Sequence, residues 1–368
     1  MSKGNPMKNA FHRVAGRCLP VAVALAVATP ATASTLNQNV SWTIDRAGTS
    51  TQYRVVAYGD SIYAGYNGSV TNAARYAATT VDAEYLSARW NADIENIRRT
   101  KSGAVARDVY ENKIVAERSW MQAASTRMVT FEMCGNDGLQ ARSAFKGQTG
   151  TCNYSGLDAA LASCRTYVGA AMDYINANAH PNARTKVIAN LYYPGYNADN
   201  VQSSCRDAAT GQTVNLRDRF LPILVRMNFA MCDLARQKGF QCADSFAQYM
   251  GADIDTNGDG RIDSDALRYV AGESESSYVT RITQTLRGTL RDSNFKQATA
   301  SSTFDYMQSD DTHPTFTGGT VSAGLFGGST GRGAPRYTSF TNGRSPIWNQ
   351  FGHQRMGWAL SVYQAPSP

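Results

Sequence analysis

The sequence predicts an α/β fold, a three-layer α/β/α sandwich with a central, mainly parallel β-sheet. Between residues 53 and 248, short apolar runs alternate with longer stretches of helical periodicity, the pattern of a parallel sheet covered by helices. The sequence contains neither an internal repeat nor a proline-rich linker. We therefore expect one elaborated α/β domain over residues 34–368, after a short leader.

The apolar runs give the predicted strands. The clearest strands are residues 54–58, 128–134 and 186–191, and weaker ones are residues 94–98 and 241–244. Helices are predicted where apolar residues recur every three or four positions, as they do from Leu157 to Ile175. Further amphipathic stretches are residues 105–124, 216–237, 278–291 and 349–363.

Residues 1–33 have the pattern of a secretory signal peptide. Four lysines and arginines and no acidic residue precede the apolar run at 19–28, and small residues follow at 31–33. A membrane anchor is the alternative, but this run is about half of the roughly 20 residues that span a bilayer. No later segment is long enough either. We therefore expect a secreted protein, extracellular or periplasmic, without a transmembrane segment.

The charge and the cysteines support this interpretation. Four units of the formal net charge of +7 lie in the leader, so the basic composition does not indicate a nucleic-acid partner. An even set of cysteines remains, which is typical of disulfides in an exported chain, with buried free thiols as the alternative. We expect Cys232 to pair with Cys242 and Cys134 with Cys152. The sequence contains no Cys-x-x-Cys pair, so a cysteine zinc site is not expected.

Residues that carry chemistry follow several predicted strands. In such sheets, ligands bind outside the carboxyl ends of the strands. Ser61 follows the first strand, Gly103 follows the strand at 94–98, and Asn136 follows the strand at 128–134. A final segment, Asp310-Asp311-Thr312-His313, lies near the C-terminus. For the first segment, the alternative is that Asp60 or Ser61 only caps a helix.

The order and content of these segments resemble the SGNH (GDSL) hydrolase family. The characteristic blocks of that family contribute a serine, a glycine, an asparagine and an Asp-x-x-His pair. The resemblance extends over residues 60–313 of the sequence. It implies a flavodoxin-like α/β/α sandwich and the hydrolysis of carboxylic esters.

The resemblance also implies a role for each of these residues. Ser61 becomes the nucleophile, His313 the general base, and Asp310 the acid that orients His313. The oxyanion hole consists of the backbone N–H groups of Ser61 and Gly103 and the side chain of Asn136. The chemistry is consistent, because a serine hydroxyl needs an imidazole to accept its proton and the imidazole needs a carboxylate to hold its tautomer.

The other histidines are weaker candidates for the base. His180 lies in a polar turn, where a solvated histidine is expected, and His353 lacks an acidic residue three positions earlier. The spacing of the Asp-x-x-His pair selects Asp310, so we expect its neighbour Asp311 to be a bystander.

Some features depart from the family pattern. Its third block has Gly-x-Asn, whereas Cys134 stands two positions before Asn136 here. The Gly- and Thr-rich stretch at 316–344 looks inserted, and we expect a rim or lid over the substrate, with a decorative loop as the alternative. Within it, Ser329 fits a Gly-x-Ser-x-Gly pattern, but no helix is predicted to follow. We therefore expect Ser329 to be a loop serine.

One segment resembles a calcium loop of the EF-hand type. Oxygen-bearing residues, a glycine at position 6 and an apolar residue at position 8 match it, but the twelfth position is Ala266 where a carboxylate is expected. An Asx-rich turn is the alternative. The expected ligand positions are Asp255, Asn257, Asp259, Arg261 and Asp263. A structural Ca²⁺ ion is thus predicted, and no cofactor is expected for catalysis.

The sequence therefore predicts a secreted serine esterase or lipase that forms an acyl-enzyme intermediate. We expect a monomer acting on small-molecule, lipid or acetylated polysaccharide esters, and no residue separates these substrates. A carbohydrate O-acetyl esterase of the same fold is one alternative. A non-catalytic, calcium-dependent binding module is another, although a degenerate relative is expected to lose at least one of the catalytic residues.

Overall fold

The computed structural model describes residues 38–66, 77–250, 265–286, 310, 312–314 and 352–361. Several sequence predictions lie outside these residues. They are the leader at 1–33, the calcium-type positions 255–263, Asp311, and the stretch at 316–344 with Ser329.

A mainly parallel sheet forms the centre of the fold, as predicted. The strands are β1 (Val40–Ile44), β2 (Gln52–Gly59), β3 (Asp93–Thr100), β4 (Thr126–Phe131), β5 (Gly150–Thr151), β6 (Thr185–Ala189), β7 (Gln202–Arg206), β8 (Thr213–Asn215) and β9 (Gln241–Ala243). The main sheet has the order β1-β3-β2-β4-β6-β9, in which β1 is antiparallel to β3 and the other neighbours are parallel. Strands β5, β7 and β8 form a small separate sheet.

Each predicted strand corresponds to a strand of the main sheet. The edge strand β1 and the small sheet were not predicted. Strand β4 ends at Phe131, before the predicted end at 134, because Cys134 has a left-handed backbone with φ of 80° and is the N-cap of the next helix.

The helices are α1 (Ser61–Ala64), α2 (Ala78–Trp90), α3 (Ala106–Val109), α4 (Gly135–Lys146), α5 (Ser155–Asn178), α6 (Leu216–Gln237), α7 (Ser245–Met250), α8 (Glu275–Leu286) and α9 (Gly352–Ser361). Helix α9 packs on α2 and α7, whereas α5 packs on α4 and α6. From β2 the chain crosses to β3 on one side and then returns to β4 on the other. Because parallel crossovers are right-handed, these connections lie on opposite faces of the sheet.

The core follows the predicted periodicity. Val55, Val56, Ala57 and Tyr58 of β2 are fully buried, as expected for a strand covered on both faces. The predicted apolar face of α5 is buried, and α6 begins and ends at the predicted residues. Among the helices of the described residues, none is long and apolar enough to cross a membrane.

The helix predicted at 105–124 is wrong as a continuous element. Helix α3 passes into a π-helical segment, Tyr110–Val115, and then a 3₁₀ turn, Arg118–Trp120. The change of backbone register coincides with the buried Lys113. Its ammonium group donates to Glu117 Oε1 at 3.0 Å and to Asn39 Oδ1 at 2.9 Å. A buried lysine needs such polar partners.

The six cysteines after the leader form disulfides, but one predicted pair is wrong. Cys232 pairs with Cys242 as predicted, whereas Cys134 pairs with Cys164 and Cys152 with Cys205. Cys134 caps α4, and α4 packs on α5, which carries Cys164. Residues 150 and 151 pair in register with residues 205 and 206, which brings Cys152 to Cys205. Tertiary packing therefore overrides proximity in the sequence.

Candidate active site

The centre of the site is the carboxyl end of β2. The sheet order reverses direction at this strand, which creates the crevice where ligands bind in open α/β sheets. Ser61 begins α1 directly after β2, and its residue surface is 7% exposed. Asp60 caps this helix, because its Oδ1 accepts from the N–H of Ile62 at 2.8 Å. By capping α1, Asp60 therefore also fixes the position of Ser61, the first residue of this helix.

The structure brings Ser61, His313 and Asp310 into one hydrogen-bonded array. Ser61 Oγ lies 2.8 Å from His313 Nε2, and His313 Nδ1 lies 2.6 Å from Asp310 Oδ2. The other carboxylate oxygen, Asp310 Oδ1, accepts from the backbone N–H groups of Thr312 and His313, both at 3.0 Å. Asp310 thus orients both the ring and the backbone of its own loop.

The electrostatics of Asp310 determine the direction of these bonds. Partial burial raises the pKa of Asp310, but the hydrogen bonds and charge of His313 and the Thr312 N–H lower the pKa to about 2. An ionised carboxylate only accepts, so His313 Nδ1 donates to it. In the neutral ring Nε2 is then an acceptor for the hydroxyl of Ser61. The geometry is that of a Ser-His-Asp triad on an α/β sheet.

Two tyrosines hold this loop, and the sequence analysis missed both roles. The ring of Tyr66 stacks on His313 with 4.1 Å between centroids and 26° between planes. The hydroxyl of Tyr192 donates to the carbonyl oxygen of Thr312 at 2.5 Å. Tyr66 comes shortly after Ser61, and Tyr192 follows β6, so both lie at the sheet end where the sequence places the site. Residue type alone did not identify them.

The other two histidines of the described residues have different environments. His180 is half-buried in its turn, where its Nδ1 accepts from the N–H of Asn182 at 3.1 Å. His353 is fully buried in α9, and its Nδ1 accepts from the N–H of Ala78 at 3.2 Å. Burial, together with the charges of Arg98 and His313, lowers the pKa of His353 well below its usual range.

Of the residues predicted for the oxyanion hole, Ser61 and Asn136 line one cavity, and Gly103 lies in a turn anchored to the end of β2. The N–H of Lys101 donates to the carbonyl of Gly59 at 3.0 Å, which fixes the turn containing Gly103 beside the end of β2. Gly103 has a φ of 76°, in the left-handed region that favours glycine. Asn136 Nδ2 donates to Asp60 Oδ2 and to the carbonyl of Ala104, both at 2.9 Å. Asn136 can therefore bind an oxyanion only by sharing one of these hydrogens.

A narrow, largely apolar cavity, partly open to solvent, begins at Ser61 and Asn136. Gly103 lies outside its described wall. Polar parts of the wall include Asp60, Glu132 and Thr312. The apolar parts include Leu139, Leu191, Phe220, Leu224, Met227 and Met356. The cavity therefore joins the serine hydroxyl to an apolar space.

A second carboxyl group, not identified from the sequence, lies behind the nucleophile. Glu132 is 3% exposed and Asp60 is 1% exposed. Glu132 Oε1 accepts from the backbone N–H of Asp60 at 2.6 Å, which places the two carboxyl groups next to each other. The available signal was an acidic residue inside the apolar run at 128–134.

The described residues contain no cluster of three or more His, Cys, Asp or Glu side chains that could hold a metal ion. The calcium-type positions 255–263 lie outside the described ranges. Calcium binding therefore remains a prediction from the sequence.

Comparison with solved structures finds lipases and esterases. The chain is similar to a lipase from a goat rumen metagenome, with 14% identity, a TM-score of 0.40, and coverage of 65% of this chain and 97% of that one. It is similar to an extracellular lipase from Streptomyces rimosus, with 19% identity, a TM-score of 0.36, and coverage of 61% and 92%. An acetylxylan esterase from Geobacillus stearothermophilus gives 13% identity, a TM-score of 0.36, and coverage of 66% and 95%.

No protein-family model matches the sequence, and no curated protein matches it. The three structures named above are two lipases and an acetylxylan esterase. At these identities and TM-scores they do not assign a function to this chain.

Proposed function

We propose that this protein is a secreted serine esterase that hydrolyses carboxylic esters through an acyl-enzyme intermediate. The observation that supports this most strongly is the array in which Ser61, His313 and Asp310 are joined by hydrogen bonds of 2.8 and 2.6 Å. The leader pattern and the disulfides agree with an oxidising, extracytoplasmic location.

In the proposed reaction, His313 Nε2 accepts the proton of Ser61 while Ser61 Oγ attacks the ester carbonyl carbon. The carbonyl oxygen becomes an oxyanion, which the N–H groups of Ser61 and Gly103 and the amide of Asn136 stabilise. The carbon–oxygen bond to the alcohol breaks, and the imidazolium of His313 protonates the leaving alcohol. Water, deprotonated by the same ring, then hydrolyses the acyl-enzyme and restores Ser61.

Labelling the nucleophile tests this proposal. A fluorophosphonate should label Ser61, and Ser61→Ala should lose both labelling and hydrolysis of p-nitrophenyl esters while keeping its melting temperature. Ser329→Ala is the matched control, since Ser329 is the serine of the other hydrolase-like motif, and it should keep both. Labelling of Ser329, or an active Ser61→Ala variant, would contradict the proposal.

The cavity favours apolar acyl groups over acetyl. Each methylene buried in it contributes about 0.8 kcal/mol, so kcat/KM should rise roughly fourfold per methylene until the cavity is filled. Leu224→Trp, which fills the cavity, should remove this rise. Leu234→Trp is the control, because Leu234 is a half-buried leucine of the same helix and lies outside the described cavity wall. A maximum at acetyl would instead favour the O-acetyl esterase alternative.

A further inference from the structure

Two buried carboxyl groups lie in contact immediately behind the proposed nucleophile. Asp60 precedes Ser61, and Glu132 follows β4, the neighbouring parallel strand. Glu132 Oε1 accepts from the N–H of Asp60 at 2.6 Å, and the two carboxyl groups are close enough for the charge of Asp60 to act on Glu132. The reaction proposed above gives Glu132 no role, although burial of a second acid is costly.

The backbone around the pair accommodates both carboxyl groups. A methyl group on Gly59 would overlap the carboxyl group of Glu132, so the last residue of β2 must be glycine for Glu132 to approach. A methyl group on Gly135 would lie 3.3 Å from Asp60 Oδ2, a tight contact. Glycines thus stand where β2 ends and where α4 begins, on either side of the pair.

Asp60 carries the connection from this pair to the oxyanion hole. Its Oδ1 accepts from the N–H of Ile62 at 2.8 Å, and its Oδ2 accepts from Asn136 Nδ2 at 2.9 Å. Asp60 therefore sets both the start of the nucleophile helix and the direction of the Asn136 amide. A rotation of its carboxylate would disturb both.

We propose that Glu132 is a positioning residue whose carboxylic acid donates to the Asp60 carboxylate and so holds Asp60 as the acceptor that orients Asn136. The inference depends on the proposed esterase function, because it assigns Glu132 an effect on the oxyanion of that reaction. Glu132 itself touches neither Ser61 Oγ nor the base in the described hydrogen bonds.

The charges around the pair agree with a proton on Glu132. Burial raises the pKa of Glu132 well above its usual range, and the negative charge of Asp60 raises it further. The pKa of Asp60 is raised as well, but less, because the interaction with Glu132, the hydrogen bonds from Ile62 and Asn136 and the charge of His313 offset part of the effect of burial. The other titratable groups facing the pair are Tyr63, Tyr192 and Asp137, and burial raises the pKa of all three. Glu132 is therefore the member that keeps the proton.

The test first establishes that the wild type hydrolyses esters, and then compares the Glu132→Gln and Glu132→Ala variants with it. Glutamine can accept from the N–H of Asp60 and donate to its carboxylate, so kcat should stay within about threefold. Alanine should lower kcat by on the order of ten- to a hundredfold, below the roughly 10²–10³ lost with one oxyanion donor, and leave KM nearly unchanged. The pH profile of Glu132→Gln should match that of the wild type.

A double-mutant cycle separates positioning from a general loss of stability. Adding Glu132→Ala to Asn136→Ala should cost little more than Asn136→Ala alone, because both act on the same oxyanion contact. Asp82→Ala is the matched control: Asp82 is also a fully buried acid, but lies between α2 and α9, so its loss should lower the melting temperature and leave kcat unchanged.

Several results would overturn the inference. The losses in the double-mutant cycle could be additive, or a folded Glu132→Ala variant could keep the wild-type kcat. The Glu132→Gln variant could be inactive, or its pH profile could lack an ionisation that the wild type shows. If the alanine variant does not fold, Glu132→Met, which keeps the volume, takes its place in each comparison. An active Ser61→Ala variant would refute the esterase function instead, so the two failures are distinguishable.

Discussion

Replacing Asp310 with asparagine changes one atom at a decisive position. In the native site, Oδ1 of Asp310 accepts from the N–H groups of Thr312 and His313, and Oδ2 faces His313 Nδ1 at 2.6 Å. Asparagine keeps its carbonyl oxygen on the backbone N–H groups and presents its NH₂ to Nδ1. The ring then accepts at Nδ1 and carries its proton on Nε2, where it cannot take the proton of Ser61.

The size of the loss in kcat distinguishes two effects, the loss of the Asp310 charge and the change of the His313 tautomer. Partial burial opposes the shift, yet the contacts of His313 and Thr312 bring the Asp310 pKa from 3.8 to about 2, which corresponds to about 2 kcal/mol. Because the side chain is 37% exposed, solvent screening reduces this to about 1 kcal/mol, or roughly fivefold in rate. The wrong tautomer costs far more, roughly 10⁴-fold in kcat. We therefore expect a loss near the larger value.

The assay is kcat for a p-nitrophenyl ester at a pH where His313 is neutral, with Asp311→Asn as the matched control. Asp311→Asn should retain most of the activity. A loss of only about fivefold in Asp310→Asn would refute the tautomer argument. An equal or larger loss in Asp311→Asn would reassign the acid.

The same contacts predict a pH dependence of stability. The pKa of Asp310 is lower in the folded chain than its ordinary value, so its contribution to stability is present above about pH 3.8 and is lost as the pH falls through about 2. The free energy of unfolding of the wild type should therefore exceed that of Asp310→Asn by up to about 1 kcal/mol at pH 6. The difference should vanish near pH 2. A difference that persists there would contradict the assignment.

Three further predictions concern the base, the disulfides and calcium. Tyr66→Ala should lower kcat about two- to tenfold, since an aromatic stack contributes about 0.5–1.5 kcal/mol, and Tyr66→Phe, which keeps the ring, should not; equal losses would contradict a role for stacking. Replacing Cys152 and Cys205 by alanine, which opens a 53-residue loop, should cost about 4 kcal/mol in denaturant unfolding, and a negligible change would refute this pairing. Removing calcium with EDTA should lower the free energy of unfolding by about 2.7 kcal/mol relative to a hundredfold excess of calcium over its dissociation constant, and so lower the melting temperature. Asp255→Ala should abolish that response, and an unchanged wild-type curve would leave the segment as an Asx-rich turn.

The sequence alone determined the layers of the fold and the order of the site segments. The apolar periodicity predicted each parallel strand and the bounds of α6, Leu216–Gln237, because burial on one face of a helix leaves a local pattern. Ser61 directly follows the predicted strand β2, and ligands bind at the carboxyl ends of parallel strands, so Ser61 was predicted to lie in the site. The Asp-x-x-His spacing of Asp310 and His313 is also local, so it was readable without coordinates.

Local patterns were insufficient where a partner is distant along the chain. Cys134 and Cys152 lie close in sequence, but the packing of α4 on α5 and the pairing of β5 with β7 choose different partners. Strand β1 was missed although Val40, Trp42 and Ile44 alternate with polar residues, the local pattern of a half-buried strand. Its antiparallel pairing with β3, in contrast, is visible only in the sheet order.

The tertiary structure alone decided which polar groups meet. Ser61 and His313 are 252 residues apart, and Glu132 and Asp60 are 72 apart. Glu132 has the same sequence pattern, a glutamate in an apolar run, whether it faces water or another carboxylate. Likewise, the sequence around Tyr66 is the same whether or not its ring stacks on an imidazole. Hydrogen bonds and ring contacts depend on atoms within a few ångströms of each other. Only the folded sheet brings those atoms together.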